Sequence, residues 1–401
     1  MNSEFDTLIQ SLKDQGLYKK YHVVESAQGA YLTLGNKKYL NLCSNNYLGL
    51  ASDDRLRQAA IEAIRQLGVG TTSVRALIGT NTLHVELEKK LAAFKHAQDA
   101  LVLTGGYLAN MAVVQTLLDK EDIVFSDELN HASIVDAIKL SGVINKYIYK
   151  HCDCSDLQRQ IEEARPIWSS TKGNGEPRRI LIVSDGVFSM DGDIAPVPEL
   201  VTIADEIGAL LMIDDAHGEG VLGDHGRGVV DHFGLHGRVA IEVGTLSKAF
   251  GVMGGFVTGD AGLIDYLRQK ARQFLFTNAL SIPDTAALIA AVDILSASDT
   301  EVKRLWENAN YLKKELQDAG FDTGLSETPI IPVMLGDEAT AKLFAEELFK
   351  RRVMATPIVF PMVAKGTARL RLQPSAIHTK EDVRMGIEMI KEVREVLSSR
   401  T

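Results

Sequence analysis

The chain has 401 residues, 45% hydrophobic and 24% charged, the proportions of an ordinary globular protein with ample core. Its formal net charge of -10 argues against nucleic acid or an anionic membrane as a partner. No apolar run approaches ~20 residues, so no membrane span is expected.

The opening stretch "MNSEFDTLIQSLKDQGL" carries acids on an amphipathic pattern and lacks the apolar run of a signal peptide. Residues 21–43 read as short strands with a turn at Gly35-Asn36. From about residue 54 helix and strand alternate. "RLRQAAIEAIRQL" and "HVELEKKLAAF" are amphipathic helices. "DALVLTGG", "DIVFSD", "RRILIVSDG", "ALLMIDDAH" and "RVAIEV" are apolar runs that read as buried strands. This alternation predicts an α/β fold, a mostly parallel central sheet with helices on both faces and ligand groups at the carboxyl ends of the strands. "IWSSTKGNGEPRR" (167–179) reads as a surface loop. After about residue 285 the helices lengthen, and "IIPVML" and "ARLRLQ" belong to a smaller α+β unit. The layout expected is an N-terminal segment (1–53), a large cofactor-binding domain (54–285) and a small C-terminal domain (286–401), with the boundary in the helix that begins near Ile282. There is no internal repeat and no low-complexity segment.

The three cysteines are Cys43, Cys152 and Cys154. "HCDCSD" places two of them beside His151, but a CxC without a second pair is not a zinc framework, so no metal is expected. Reduced thiols fit a cytoplasmic location.

Chemistry concentrates at the strand ends. "GTLSKAFGVMGG" puts Lys248 between short hydroxyl residues and a glycine-rich turn, either as an exposed loop charge or as a working amine. "LLMIDDAH" ends in Asp214, Asp215 and His217, which read as a helix cap with a solvated carboxylate, or as a metal pair. "IVSDGVFSMDGD" adds Asp185 and Ser189. "SDELNHAS" places His131 at a helix start, with Asn130 or Asp127 available to cap. In "LVLTGGYLAN", Gly105 and Gly106 form a strand-to-helix turn that suits a phosphate. That turn is neither GxGxxG nor a Walker A loop, which disfavours a nucleotide. A phosphate turn with Tyr107 beside it, a strand-end aspartate and a strand-end lysine are the groups pyridoxal phosphate needs.

"SNNYLGL", "DELNHASI", "DGVFSMDGDIAP", "DDAHGEGVLGDHGRG" and "GTLSKAFG" resemble the α-oxoamine synthases among the fold-type-I pyridoxal phosphate enzymes, from about residue 35 to the end. The resemblance implies Lys248 as the Schiff-base lysine, Asp214 as partner of the pyridine nitrogen, His131 stacked on the ring and His217 at the phenolic oxygen. It implies that Ser189, Thr245 and the amides of Gly106 and Tyr107 hold the cofactor. Asn45 and Arg371 would take the substrate, Arg371 through its carboxylate. "FLFTN" resembles a segment that crosses a homodimer interface, so Phe276 and Thr277 would reach the partner's phosphate site. For comparison, Asp215 reads as a cap, Arg369 as a surface pair and His84 as an ordinary helix residue.

The family joins an amino acid to an acyl-CoA. "SVRALIGTNTLHVELE", with Arg75 and Gly79-Thr80, is similar to the glycine C-acetyltransferase branch (2-amino-3-ketobutyrate CoA ligase), which implies glycine and acetyl-CoA as substrates. The alternative is the 8-amino-7-oxononanoate synthase branch, which takes alanine and a pimeloyl thioester, or a broad-specificity enzyme. A catalytically silent subunit, which Lys248 argues against, and an aminotransferase of the same fold complete the readings.

Overall fold

A computed structural model describes residues 2–399 apart from 16 and 20. After a first helix, α1 (Asn2–Asp14), strands β1 (Tyr31–Leu34) and β2 (Lys37–Asn41) form an antiparallel hairpin. Gly35 and Asn36 both take positive φ (54° and 59°), as a two-residue turn between twisted strands requires. Helices α2 (Asp54–Leu67) and α3 (Thr82–Phe94) follow, close to where their apolar periodicity predicts them.

Next come β3 (Asp99–Leu103), α4 (Gly106–Leu117), β4 (Ile123–Asp127), α5 (Ala132–Ser141), β5 (Asn145–Tyr149), α6 (Cys154–Trp168), β6 (Ile180–Asp185), α7 (Val197–Ile207), β7 (Leu210–Asp214), the short α8 (Val229–His232), β8 (Ile241–Thr245), β9 (Gly255–Gly259), α9 (Ala261–Lys270) and α10 (Arg272–Leu275). Helix α6 absorbs Ile167 and Trp168 from the predicted loop, which begins only at Ser169.

Seven of these strands form one sheet in the order β3-β9-β8-β7-β6-β4-β5, parallel throughout except for β9. Alternate residues of each strand feed two separate cores. Val102, Phe125, Ile182 and Ile213 pack on the side of α3, α6 and α7, while Leu101, Val124, Val183 and Met212 pack on the side of α4, α5 and α9. Because both faces are covered, the strands are largely apolar, Ser126, Ser184 and Glu242 apart, up to their last residue. That residue is Asp127, Asp185, Asp214 or Thr245 on four neighbouring strands, so the polar groups gather along one edge.

The remaining chain forms α11 (Ile282–Ala297), α12 (Thr300–Asp318), β10 (Ile331–Gly336), α13 (Glu338–Lys350), β11 (Val353–Met354), β12 (Thr356–Ile358), β13 (Ala368–Leu372) and α14 (Lys380–Ser398). Helix α11 packs on α2 and α3, and the chain changes cores one helix later. Val302 and Leu305 of α12 join the core with α11; Ala309, Leu312 and Leu316 join a third core under β10, β13 and α14. Strand β2 pairs in parallel with β11, which ties the N-terminal segment to this C-terminal unit. Strand β13 runs between β10 and β12 and carries Arg371 one residue before its end. Among the described residues no helix is long and apolar enough to cross a membrane.

Candidate active site

The turn after β8 positions the lysine. Leu246 N–H donates to Gly254 O at 2.9 Å and Gly251 N–H to Lys248 O at 3.0 Å, so Lys248 is held in a closed backbone loop. The residue is only partly exposed and lies close to Asp214 and Arg371, which disfavours the reading as an exposed loop charge. Burial lowers the pKa of the amine to about 8; Asp214 opposes that shift and Arg371 reinforces it.

Asp214 ends β7, buried, with each oxygen fixed. Ala216 N–H donates to Oδ1 at 3.0 Å and Asn110 Nδ2 donates to Oδ2 at 2.6 Å. The same Asn110 nitrogen donates to Ser133 Oγ at 2.8 Å, and Ser133 Oγ lies 2.7 Å from His131 Nδ1. His131 also accepts the Ser133 backbone N–H at 3.3 Å, so it caps α5 itself. Neither Asn130 nor Asp127 caps, as the sequence suggested. Asn130 instead links β4 and β6, and Asp127 accepts from Leu129 and Cys152 N–H. With Nδ1 accepting, the proton of a neutral His131 is on Nε2. Burial and the Lys248 charge hold its pKa below the ordinary histidine value.

Beside Asp214 across the sheet lies Asp185, which accepts the His131 N–H at 3.3 Å. Burial and the neighbouring Asp214 charge push its carboxyl well above the usual range.

A second network starts from Gln373, whose Nε2 donates to Asn45 Oδ1 at 3.0 Å and to Tyr47 Oη at 2.8 Å. Tyr47 Oη lies 2.8 Å from His217 Nδ1. Since Tyr47 accepts from Gln373, its own proton goes to His217, whose Nε2–H is then left to donate. Burial pushes Tyr47 up to about 12 and takes His217 well below its ordinary value, with Lys248 and Arg371 adding to the second effect. Arg371 Nη2 donates to Asn45 Oδ1 at 3.3 Å, while its buried Nε and Gln373 Oε1 have no partner. An unpartnered guanidinium nitrogen beside a buried amide suits a carboxylate.

The third part is an anion cradle. Helix α4 starts at Gly106 with no side-chain cap, so its first amides are open, and a Cβ at Gly106 would stand 3.1 Å from Thr245 Oγ1. Thr245 Oγ1 is 2.9 Å from Ser247 Oγ, which brings two hydroxyls to this helix end. Behind them Glu219 accepts the Thr245 N–H at 3.2 Å, within a buried group of Lys95, Asp215 and Glu242. Asp215 therefore belongs to an interior ion cluster and accepts the Val229 N–H at the start of α8. The Tyr107 ring turns outward and donates to Asp136 on α5, so only its amide faces the cradle.

Helix amides, paired hydroxyls, a fixed carboxylate, a neutral imidazole and a buried amine fit pyridoxal phosphate. Ser189 is half-buried in the turn after β6. Its neighbour Phe188 lies edge-on to His151 at 4.3 Å, and His151 is held between Asp127 (3.1 Å) and Asp193 (2.7 Å). Arg369 is buried and pairs with Asp191 of the same turn, so it is an internal tie between the two units. His84 is fully buried, closes a capping box with Asn81 and reaches Leu280 O at 2.9 Å. Phe276 and Thr277 lie outside this cluster: Phe276 is 71% exposed against Arg272, and the next residue, Asn278, bridges to Val74. Asn110, Ser133, Tyr47 and Gln373 escaped the sequence reading. Each lies inside a stretch already singled out (Asn110 in "LVLTGGYLAN", Ser133 in "SDELNHAS", Tyr47 in "SNNYLGL", Gln373 in "ARLRLQ"), but no linear signal marks it as part of the site.

The aminotransferase class I and II family model matches residues 37–390. A Thermosipho melanesiensis 8-amino-7-oxononanoate synthase is 52% identical over 391 residues, 98% of this chain and 97% of its own. A Fervidobacterium nodosum protein of the same name is 53% identical over 386 residues, 96% of each chain. The structure of serine palmitoyltransferase from S. paucimobilis, with a bound PLP–myriocin aldimine, superimposes with a TM-score of 0.90 at 29% identity, covering 99% of this chain and 98% of that one. The two synthases overturn the expectation of glycine and acetyl-CoA. The stretch behind that expectation does scaffold work: Arg75 forms a two-pronged buried pair with Glu88 at 3.0 Å and donates to Thr80 Oγ1. A Cβ at Gly79 would meet Ser73 O at 2.2 Å, so that glycine serves the turn. Such residues hold a loop and carry no information about acyl length.

Proposed function

We propose that this chain, which belongs to the class I and II aminotransferase family and within it to the pyridoxal phosphate-dependent α-oxoamine synthases, joins alanine to a pimeloyl thioester with loss of carbon dioxide. That is the activity of an 8-amino-7-oxononanoate synthase. The observation that carries the substrate pair is identity of 52% and 53%, over nearly the whole chain, to two synthases of that name.

In this reading Lys248, Asp214, His131, His217, Ser189, Thr245 and the amides of Gly106 and Tyr107 would hold the cofactor, which supplies an electron sink for the alanine α-carbon. Asp214, fixed by Asn110 and Ala216, would keep the ring nitrogen protonated. His217 Nε2–H would donate to the phenolic oxygen. Arg371 and Asn45 orient the alanine carboxylate. Lys248, with its pKa near 8, is neutral often enough at neutral pH to take the α-proton. The α-carbon bonds to the thioester carbonyl, where His131 Nε2–H stabilises the developing oxyanion. The C–S bond then breaks and the thiol leaves with a proton. Loss of the carboxylate as carbon dioxide is followed by return of one proton to the α-carbon. A second copy of the chain completes the site in this reading, with Phe276 and Thr277 contributed across the interface. Exposed Leu77 and Ile78 lie on the loop beside that segment.

The test is a panel of alanine, glycine and serine against acetyl-, pimeloyl- and palmitoyl-CoA, read as thiol release. Alanine with pimeloyl-CoA should give the highest kcat/KM. One methyl on the amino acid is worth only ~1–3 kcal/mol, so glycine should still react measurably and the ranking decides. Another pair ranking first by tenfold would replace this reading.

Arg371→Lys should raise the alanine KM about ten- to a hundredfold, the cost of one charged hydrogen bond, because an ammonium cannot copy the guanidinium fork. The thioester KM should move much less. An equal rise in both would show that Arg371 does not select the amino acid.

A further inference from the structure

Among the described residues, two groups of side chains bring metal-ligating atoms together. In the first, Asp127–His151–Cys152, both His151 nitrogens are already taken by Asp127 and Asp193. Burial pulls the His151 pKa down, but those hydrogen bonds outweigh it and raise it to about 12. A ring that keeps its proton offers no lone pair to a metal.

The second group is His96, Asp231 and His236, and we propose that it is a divalent transition-metal site, of zinc type, remote from the catalytic edge. His96 lies between α3 and β3, Asp231 in α8, and His236 between α8 and β8. One donor atom from each lies within 4.8 Å of the others, and the two imidazoles are 4.8 Å apart. His236 Nε2 is 2.8 Å from Asp231 Oδ1, while His236 Nδ1 is buried with no partner. Asp231 is oriented from behind, because its other oxygen accepts the Asp224 N–H at 2.5 Å.

Two imidazoles and one carboxylate form a zinc-type donor set that leaves a position for water. Ligand atoms on a tetrahedral ion with bonds of 2.0–2.1 Å are about 3.3 Å apart, so the closure needed is on the order of 1.5 Å. His96 is exposed and can supply it by side-chain rotation. Its neighbour Lys95 carries its ammonium into the interior, towards Asp215 and Glu242.

Sheet register places the site. Asp99, Gly259 and Ile241 align across β3, β9 and β8 at the edge next to His96 and His236, whereas Leu103, Gly255 and Thr245 align at the catalytic edge. Four residue steps of strand, about 13 Å, separate the two rows. A metal here would clip the α3–β3 and α8–β8 connections together without touching the chemistry.

The experiment is zinc titration of the chelator-treated holoenzyme against a competing chromophoric chelator, with thermal unfolding as a second readout. Wild type should take up one zinc per chain and unfold at higher temperature with zinc present. His96→Ala, at an exposed position, and His236→Ala should each weaken that uptake at least tenfold while leaving turnover unchanged. Cys152→Ser should keep it, which excludes the other group. No stoichiometric uptake by wild type, uptake unaffected by His96→Ala, or uptake lost in Cys152→Ser would each overturn the proposal.

Discussion

Replacing Lys248 with alanine should lower turnover by at least about 10⁴-fold, the upper range for a residue that both transfers a proton and bonds covalently. The fold should survive, since Leu246–Gly254 and Gly251–Lys248 are backbone bonds that an alanine still makes. Added cofactor should not restore activity, because the missing amine is needed for the α-proton as well. The cheapest companion measurement is competitive acylation of the unloaded chain. A free amine is the reactive form, and a lowered pKa means that it appears at lower pH. Labelling of Lys248 should therefore be half-maximal near pH 8, where an ordinary lysine is still almost wholly protonated. Turnover within a few-fold of wild type, or labelling that rises only near pH 10, would remove Lys248 from its assigned role.

Asp214→Asn should cost 10²-fold or more, the usual scale for losing a proton-holding group. An amide is nearly isosteric, and Asn110 can turn its unpartnered Oδ1 towards the new amide, so the substitution is accommodated without unfolding. What disappears is the negative charge. Asp185, pushed well above the usual carboxylate range partly by Asp214 itself, should then ionise more easily and supply a charge one strand away. The double variant Asp214→Asn, Asp185→Asn should consequently be worse than the single one. The readout is exchange of the alanine α-proton without thioester. Exchange at the wild-type rate in the single variant would contradict the role of Asp214.

Much of the fold was legible because its signals are local. β-Strands covered on both faces are largely apolar, so "RILIVSD" and "LLMID" announce themselves, and each ends in the polar side chains that mark the sheet edge. The Gly35-Asn36 hairpin was equally plain, because few residues tolerate two successive positive φ angles. The choice of acyl substrate was not legible. Arg75 and Gly79, in a stretch similar to the glycine C-acetyltransferase branch, answer to Glu88 and Ser73, and nothing in a linear stretch distinguishes a residue that faces a ligand from one that props up a loop.

The sequence by itself determined the positions of Lys248 and Asp214 at strand ends and of His131 at a helix start and, through its motifs, the cofactor class. Only the tertiary structure decided their protonation states. Lys248 is depressed by burial and by an arginine from another unit; His131 and His217 have their tautomers set by Ser133 and Tyr47; Asp185 is raised because β6 and β7 bury it beside Asp214. Each of these depends on desolvation and on charges a few ångströms away that come from distant parts of the chain, and neither quantity exists until the chain has folded.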